Sequence, residues 1–438
     1  MHNIVFVVGT RPEIIKMAPA ILETEKRGIE YLIIHTGQHY DSNMSEQFFD
    51  SLGIKKPDIN LNIREEIPHA RLSEIINKLG KELVEKQPSI VLALGDTVSV
   101  LATCLACVQN RIAFGHIEAG IRSYDLTMPE ERNRRIIDSI SSIYFAPSKR
   151  AVINLYYEGV DPKRIFLTGN TIVDAIRIYR KDITKDKTMQ ANKILQNIKG
   201  NYILCTIHRV SNVENIQNLN EIASFLSNYK KIPLVFLIHP RTKKKLIEIA
   251  KYEELERNRN LFINESINYF SMLKLMSNDR CLMVLTDSGG LQEEAAILHK
   301  PCITLRSNTE RPETVIHEIN VLTEIRESNI VSEIERILTE EFDYRFNKFG
   351  QPYGDGYAST KILDILEEFD GKIQFESPSN YKQGSKTFHL LELGASLKRE
   401  EIEDQFECQI SFVYDENGTP KIIEDKLKKG DRVRIIKD

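Results

Sequence analysis

The sequence predicts an α/β fold with two doubly wound domains that face one cleft, followed by a small β-rich domain. Short apolar runs alternate with helical patterns along most of the chain, which is typical of parallel sheets covered by helices. A polar stretch rich in Lys, Asp, Gln and Asn divides this alternation into two series of similar size at residues 181–199. We therefore predict domains at 1–175 and 176–370, with the last helix of the second range able to pack back on the first domain.

The first series contains apolar runs that we expect to form strands buried on both faces. These runs are Asn3–Val8, Tyr31–His35, Ile90–Leu94, Ile112–Phe114, Ser142–Ala146 and Ile165–Thr168. Helices are predicted over Arg71–Lys86 and Val98–Gln109, and from Pro129 onward. The turn Gly9-Thr10 ends the first strand and precedes a helix, so we expect its backbone N–H groups to be free for a phosphate.

The second series repeats the same alternation after residue 200. Its predicted strands are Tyr202–Thr206, Pro233–Ile238, Leu261–Asn264, Cys281–Leu285 and Pro301–Leu305. The segment Asp287-Ser288-Gly289-Gly290 opens a helix and is a stronger phosphate cradle than Gly9, because two glycines permit close backbone approach and the helix dipole favours an anion. The alternative is a purely structural helix cap.

The composition past residue 370 changes. Residues 371–385 are polar and carry Pro, Ser, Asn and Gly, as expected of a linker. Residues 386–438 contain a hairpin pattern with an Asn-Gly turn at Gln409–Ile423 and a final strand pattern, so we predict a small β-rich appendage.

Composition and charge exclude several function classes. The chain of 438 residues has a formal net charge of −4, which argues against a nucleic-acid surface. Its six cysteines suggest neither a disulfide framework nor a zinc site, and the Cys104–Cys107 pair lies in an apolar helical run. No apolar run approaches transmembrane length, and the N-terminus is typical of a buried strand rather than a signal peptide. We expect a cytoplasmic protein without a membrane partner.

The stretch from Gly115 to Arg134, GHIEAGIRSYDLTMPEERNR, is the densest concentration of polar side chains. It follows a predicted strand end, where open α/β sheets bind ligands. Glu118 and Glu130 lie on either side of a loop, where we expect both carboxylates to be exposed. Two fixed carboxylates on opposite faces are what proton removal and return at a carbon require. The alternative is that these glutamates only favour the helix dipole.

Eight motifs together resemble one known family, the non-hydrolysing UDP-N-acetylglucosamine 2-epimerases, over residues 1 to about 369. They are GTRPEIIK, GDT, GHIEAGIRS, MPEERNR, GNTIVDA, TIHR, TDSGGLQEEA and TERPET. The resemblance implies a GT-B-like fold of two Rossmann-like domains, a UDP-sugar in the cleft and a homodimer, with neither metal nor other cofactor. It implies reversible conversion of UDP-GlcNAc to UDP-ManNAc by elimination of UDP, giving a 2-acetamidoglucal, and re-addition.

The resemblance also assigns roles to individual residues. The catalytic residues that it implies are Asp96, Glu118, Glu130 and His208. The substrate-binding residues that it implies are Arg11, Lys16, Arg134, Ser288, Gly289, Gly290, Glu293 and Arg311, with Glu293 on the ribose. The position on the helix alone would also allow Glu294 to contact the ribose.

Two departures from the family pattern limit these implications. The chain lacks the Gly-rich loop that often precedes the helix near Arg71, so we do not expect UDP-GlcNAc to be a strong activator. The appendage at 386–438 has no counterpart in the basic family, and an unidentified partner for it is left open. The alternatives for the reaction are C2 epimerisation of a related UDP-2-acetamido sugar, a GT-B glycosyltransferase, and a sugar-nucleotide sensor without turnover.

Overall fold

A computed structural model of the chain shows two parallel α/β sheets, each covered by helices on both faces. The structure describes residues 3–37, 48–182, 188–265, 267–339, 345–347, 350 and 352–369, together with the backbone of the strands between residues 387 and 437. The predicted linker at 371–385 lies outside the described residues.

The first sheet has seven parallel strands in the order β3-β2-β1-β4-β5-β6-β7. Their bounds are Ile4–Val8 (β1), Tyr31–His35 (β2), Ile59–Asn60 (β3), Ile90–Leu94 (β4), Phe114–Ile117 (β5), Ile143–Ala146 (β6) and Ile165–Leu167 (β7). All five residues of β1 and of β4 are buried, as their unbroken apolar sequences predict. Because the strand order reverses between β1 and β4, a crevice opens at their carboxyl ends.

The second sheet has six parallel strands in the order β10-β9-β8-β11-β12-β13. Their bounds are Tyr202–Thr206 (β8), Leu234–Leu237 (β9), Leu261–Asn264 (β10), Cys281–Thr286 (β11), Cys302–Thr304 (β12) and Asn320–Leu322 (β13). The strand order reverses here between β8 and β11, which gives this domain a crevice of the same kind.

Helices follow most strands, as the alternating sequence predicts. Those of the first half are Arg11–Lys26 (α1), Pro68–Lys86 (α2), Val98–Gln109 (α3), Pro129–Ile140 (α4), Lys149–Tyr157 (α5) and Thr171–Tyr179 (α6). Those of the second half are Met189–Asn197 (α7), Val210–Val213 (α8), Ile216–Asn228 (α9), Pro240–Glu248 (α10), Tyr252–Glu256 (α11), Tyr269–Ser277 (α12), Gly289–Ile297 (α13), Pro312–Ile316 (α14), Glu327–Thr339 (α15) and Ala358–Glu368 (α16). No helix among the described residues is long and apolar enough to cross a membrane.

The last helix, α16, packs against α1 of the first domain. The guanidinium of Arg27 joins the two helices through ion pairs with Asp364 and Glu367, at 2.8 and 2.9 Å. The buried carboxylate of Asp174 on α6 accepts the backbone N–H groups of Ala358 and Ser359, which caps α16 at its start. The chain therefore returns to the first sheet after completing the second.

The strands after residue 386 pair in an antiparallel sheet of order β14-β19-β16-β17. Their bounds are Thr387–Glu392 (β14), Gln409–Tyr414 (β16), Pro420–Lys421 (β17) and Arg432–Lys437 (β19), and a separate pair joins Leu397–Lys398 (β15) to Lys426–Leu427 (β18). β16 and β17 pair as neighbours, which is the hairpin that the sequence pattern predicts.

Some predicted boundaries were wrong. β5 does not end at Phe114 but begins there and continues to Ile117, so His116 lies inside a buried strand. A histidine is tolerated at this position because both of its ring nitrogens have polar partners. The helix predicted from Arg71 begins at Pro68, which suits the first helical position because proline has no N–H to leave unpaired.

Candidate active site

The carboxyl edges of the two sheets contact each other, and the residues singled out from the sequence concentrate there. The amide of Asn308 in the second domain donates to Asp125 of the first at 2.9 Å, and Ser148 donates to Glu313 at 2.6 Å. Beneath these surface contacts lies a group of buried charges that belongs to both domains. Polar groups from two switch points therefore converge on one cleft.

Glu118 lies directly after β5 and is buried, which corrects the expectation of an exposed carboxylate on a loop. Its Oε1 accepts from Lys16 Nζ at 2.5 Å. Burial by itself raises the pKa of Glu118, but the charges of Lys16 and Arg311 and hydrogen bonds from Lys16 and Asn170 outweigh it, so the pKa lies below its ordinary value. Glu118 is therefore an ionised carboxylate, the form that can accept a proton.

Glu293 lies on α13 of the second domain and shares Lys16 with Glu118, at 3.1 Å from Nζ. Its side chain is fully buried, with Arg311 Nε at 2.6 Å and the amide of Asn170 at 2.8 Å. Burial raises the pKa of Glu293 above its ordinary value despite these cations. Both carboxylate oxygens have protein partners, so Glu293 can contact a ribose only if at least one of these contacts breaks.

Asp96 and Arg134 form an ion pair beside this group. Arg134 contacts Asp96 Oδ2 through Nε at 2.8 Å and through its NH2 nitrogen at 2.6 Å. The same guanidinium donates to the buried Glu131 at 3.0 Å, and Glu131 accepts the backbone N–H of Ser123 at 2.8 Å. The short chain Asp96–Arg134–Glu131–Ser123 thus ties the loop after β4 to the loop after β5.

Glu130 is exposed at the start of α4. Within the described part of the chain it has no hydrogen bond or ion pair, and its charge acts on Arg209 of the second domain. It therefore faces the opening between the domains as a carboxylate without a direct protein partner in that part of the chain. Of the two glutamates, only Glu130 has the exposure that the sequence suggested.

His208 follows β8, and hydrogen bonds from its backbone N–H, rather than from its ring, hold it in place. The carboxylate of Asp287 accepts the backbone N–H groups of His208 and Arg209, at 2.9 to 3.1 Å, and the side-chain amide of Asn212 at 3.0 Å. Asp287 therefore does not cap the following helix. Burial lowers the pKa of His208 below its ordinary value, so its ring is neutral near pH 7.

The turn that begins α13 is open at Gly290, whereas a Cβ on Gly289 would lie 2.1 Å from Glu310 Oε1. Ser288 occupies the cap position without a side-chain hydrogen bond to the helix, and a Cβ on Gly290 would meet no atom within 4 Å. Arg306 lies beside Gly289 with a buried NH1 nitrogen that has no hydrogen-bond partner among the described residues, while its NH2 donates to Glu310 at 2.7 Å. Free backbone donors and an unpaired guanidinium nitrogen are groups that can bind an anion, and the carboxylate of Glu310 lies beside them.

The turn at Gly9 differs from the expectation. Glu13 Oε2 accepts the N–H of Gly9 at 2.7 Å and that of Thr10 at 3.3 Å, so these donors are not free for a phosphate. Arg11 is exposed, with its guanidinium over the ring of Phe48 at 5.8 Å. The expectation of free backbone donors at this turn was wrong, because the helix satisfies its own first donors.

Sequence reasoning missed four residues that this geometry brings forward. They are Asn170, Glu131, Arg306 and Asp138. Asn170 could have been found from its place in GNTIVDA, and Glu131 from its place beside Glu130. Nothing local marks Arg306 or Asp138, whose partners come from distant parts of the chain. Among the described residues, no group of three or more His, Cys, Asp or Glu side chains could hold a metal ion.

The fold and this cleft define an enzyme of the GT-B-like class that handles nucleotide-activated sugars. The family model described as UDP-N-acetylglucosamine 2-epimerase matches residues 22–367, and the chain belongs to that family. The UDP-N-acetylglucosamine 2-epimerase of Methanococcus maripaludis is 41% identical over 373 residues, which cover 84% of this chain and 98% of that protein.

Two further relatives bear on the substrate. The crystal structure of the Methanocaldococcus jannaschii UDP-GlcNAc 2-epimerase in complex with UDP-GlcNAc and UDP matches with a TM-score of 0.77 at 38% identity, covering 84% of this chain and 100% of that one. The UDP-2,3-diacetamido-2,3-dideoxy-D-glucuronate 2-epimerase of Pseudomonas aeruginosa is 34% identical, over 83% of this chain and 99% of that protein.

Proposed function

We propose that the chain interconverts UDP-GlcNAc and UDP-ManNAc by inverting C2. The observation that carries this proposal is the pairing, across one cleft, of an ionised buried carboxylate at Glu118 with an open anion cradle at Ser288–Gly290. The cradle suits a diphosphate and the carboxylate suits a proton transfer, and a C2 epimerisation through loss of UDP needs both. Family membership at 41% identity supports the same reaction.

In the proposed binding mode, the diphosphate lies at the start of α13. The backbone N–H groups of Gly289 and Gly290, the Ser288 hydroxyl and the unpaired nitrogen of Arg306 donate to its oxygens. The neutral ring of His208 lies on the same edge and can donate one further hydrogen bond. These donors stabilise the charge that UDP gains when its bond to the sugar breaks.

In the proposed chemical step, one carboxylate removes the proton from C2 while the bond between C1 and the UDP oxygen breaks. The electron pair of the C2–H bond forms the C1=C2 double bond of a 2-acetamidoglucal, and UDP leaves with the other pair. A second carboxylic acid then returns a proton to the opposite face of C2, and the UDP oxygen bonds to C1 again. We assign these two roles to Glu118 and Glu130, and the orientation of the sugar to Asp96 and Arg134.

Lys16 has a role in this scheme that its contacts support. An ammonium has three N–H donors, and two of them are used by Glu118 and Glu293. The third is available for a phosphate or sugar oxygen of the substrate. We propose the same kind of contact for Arg11, and a supporting role for Arg311, which neutralises Glu293 at the bottom of the cleft.

The decisive experiment incubates the protein with UDP-GlcNAc in deuterated water and resolves the products by proton NMR. We expect UDP-ManNAc with one deuterium at C2. Parallel incubations with UDP-2,3-diacetamido uronate and with 6-deoxy sugar nucleotides test the related epimerases, and turnover only after addition of an acceptor would indicate a glycosyltransferase. Binding without any turnover would indicate a sensor, and product without solvent deuterium would exclude the two-carboxylate mechanism.

Assembly and the appendage are part of the same proposal. We propose a cytoplasmic homodimer whose catalytic unit ends before residue 370, with residues 386–438 left for a partner that the reaction does not require. A chain truncated at Asp370 should keep its turnover and its elution volume in size-exclusion chromatography. Loss of the dimer or of soluble protein on truncation would make the appendage part of the enzyme's structure.

A further inference from the structure

The buried face of α4 (Pro129–Ile140) carries charges where an ordinary amphipathic helix carries apolar side chains. Glu131, Arg134 and Asp138 lie at positions i, i+3 and i+7, which fall on one face of a helix, and all three are buried. The first two reach the loops after β4 and β5, as described above. Asp138 lies one turn further from the cleft, and the proposed reaction gives it no role.

Asp138 is completely buried and accepts three donors. Its Oδ1 is 2.6 Å from His116 Nδ1, and its Oδ2 is 2.7 Å from the Arg122 NH1 nitrogen and 3.0 Å from the backbone nitrogen of Gly120. Burial by itself raises the pKa of Asp138, but the charges of Arg122 and His116 outweigh it and lower the pKa to about 2. Asp138 is therefore a carboxylate at any pH at which the enzyme works.

His116 connects Asp138 to the neighbouring strand end. Its second ring nitrogen, Nε2, is 2.8 Å from the carbonyl oxygen of Gly95. A carbonyl oxygen and an ionised carboxylate can only accept, so each ring nitrogen of His116 faces an acceptor. The ring of His116 is thus a buried cross-link between α4 and the turn that carries Asp96.

The loops after β4 and β5, which His116 and Asp138 connect to α4, contain residues with positive φ angles. Gly95 precedes Asp96 with φ +91°, Glu118 has φ +68°, and Gly120 has φ +82°. A non-glycine residue such as Glu118 adopts a left-handed conformation only where its surroundings impose it. A Cβ on Gly120 would lie 2.2 Å from the Ala151 carbonyl oxygen, so the close approach of this loop to α5 also requires glycine.

We propose that Asp138 is a positioning residue for the epimerase reaction, because through His116 and the Gly120 amide it fixes the loops that carry Asp96 and Glu118. The inference rests on the proposed function for what those two carboxylates do. Asp138 touches neither of them and lies below the cleft. Its effect is to set the position of Asp96, which orients the sugar, relative to Glu118, which transfers a proton, before a substrate arrives.

The first test is hydrogen exchange, which does not depend on turnover. The variant Asp138→Asn keeps the shape of the side chain but places an amide where three donors need acceptors. Asp174→Asn is the matched control, because Asp174 is an equally buried carboxylate whose two backbone donors belong to α16. We expect faster amide exchange around residues 95–96 and 118–123 in the first variant, and around 358–361 in the control. Equal loosening of both regions in both variants would overturn the proposal.

The second test is steady-state kinetics of the same pair with UDP-GlcNAc. We expect Asp138→Asn to lower kcat about 100-fold with little change in KM, since a misplaced carboxylate affects the chemical step and not the diphosphate contacts. Asp174→Asn should keep its kcat at temperatures below its melting point. A change confined to KM, or an unchanged kcat in the Asp138 variant, would also overturn the proposal.

A second variant covers the case in which Asp138→Asn does not fold. His116→Gln has a shorter reach than the ring and can satisfy only one of the two acceptors, while Asp138 keeps Arg122 and Gly120. We expect faster exchange at residues 95–96 and a lower kcat, and unchanged exchange there would contradict the cross-link. If the wild type turns over no UDP-sugar, the proposed function fails, and the exchange experiment still decides whether Asp138 fixes the two loops.

Discussion

Each domain has a glycine turn between a central strand and the helix that follows, and the two turns are built differently. The first is Gly9-Thr10 between β1 and α1, and the second is Ser288-Gly289-Gly290 between β11 and α13. Both lie at the point where the strand order reverses, where doubly wound domains bind ligands. By sequence pattern alone, either turn could have held a phosphate.

The first turn is closed by its own helix. The carboxylate of Glu13 accepts the N–H groups of Gly9 and Thr10, and a Cβ on Gly9 would lie 2.5 Å from Ser99 Oγ, so neither donors nor space are left. The second turn leaves its first backbone donors unused, because Ser288 makes no cap and Asp287 is engaged by the loop after β8. It has space at Gly290 but not at Gly289, where a Cβ would lie 2.1 Å from Glu310 Oε1. A helix N-terminus is therefore an anion site only where the neighbouring side chains leave its donors unused.

We infer from this difference that the two domains have different roles in the proposed reaction. The edge of the first sheet presents Asp96, Glu118 and Glu130, which suit proton transfer, and the edge of the second presents donors for a diphosphate. If the division is correct, chemistry and nucleotide binding can be removed separately by substitutions on opposite sides of the cleft.

The largest expected effect is on turnover, from the first-domain side. Glu118→Gln and Glu130→Gln should each lower kcat about 100-fold or more, within the usual range for general acid–base groups. Both variants should bind UDP as the wild type does, measured by calorimetry, because neither residue belongs to the open turn. Weakened UDP binding in both would show that the first-domain edge also holds the nucleotide.

The stability of these two variants should differ. Glu130 is exposed and unpaired within the described part of the chain, so its variant should melt near the wild-type temperature. Glu118 is buried against Lys16 at 2.5 Å, so its variant leaves that ammonium with less compensation and should melt lower. Equal melting temperatures would show that the ion pair with Glu293 alone compensates the buried charge of Lys16.

A smaller effect is expected on UDP affinity, from the second-domain side. Gly290→Ala should weaken UDP binding about tenfold or more, because a methyl group blocks backbone approach and charge-assisted hydrogen bonds are lost. The free protein should be unaffected, since a Cβ there meets nothing within 4 Å. Gly80→Ala in the middle of α2, where a Cβ would meet only the side-chain nitrogen of Asn110 at 3.4 Å, is the control and should leave UDP affinity unchanged. Equal affinities of the two variants would place the diphosphate elsewhere.

Much of this arrangement follows from the sequence, because short apolar runs and strand-end motifs are local signals. The sheets and the open turn at Ser288 were predictable in this way. The closed turn was predictable as well, since Thr10-x-x-Glu13 is a capping-box pattern. The phosphate site was predicted instead because a glycine ends the strand. The burial of Glu118 was not, because its partner Lys16 and their shared neighbour Glu293 come from remote parts of the chain.

The smallest effect on function is expected from Glu13, whose charge has a cost in stability. Burial raises the pKa of Glu13 to about 7 from an ordinary value of 4.5. Between these two pH values the folded state holds a proton that the unfolded state has released, so stability falls as the pH rises from 4.5 to 7 and is level above. The loss amounts to roughly 3 kcal/mol, because raising a pKa by one corresponds to about 1.4 kcal/mol.

Glu13→Gln should therefore remove most of that pH dependence, measured as the free energy of denaturant unfolding at pH 5 and pH 8. Its amide oxygen can still accept the N–H of Gly9, so the turn stays closed and UDP affinity should not change. Glu294→Gln is the matched comparison, because burial raises the pKa of Glu294 to about 7 as well, in the other domain. If Glu13→Gln instead changes the affinity for UDP, the closed turn takes part in nucleotide binding, and the contrast between the two turns is lost.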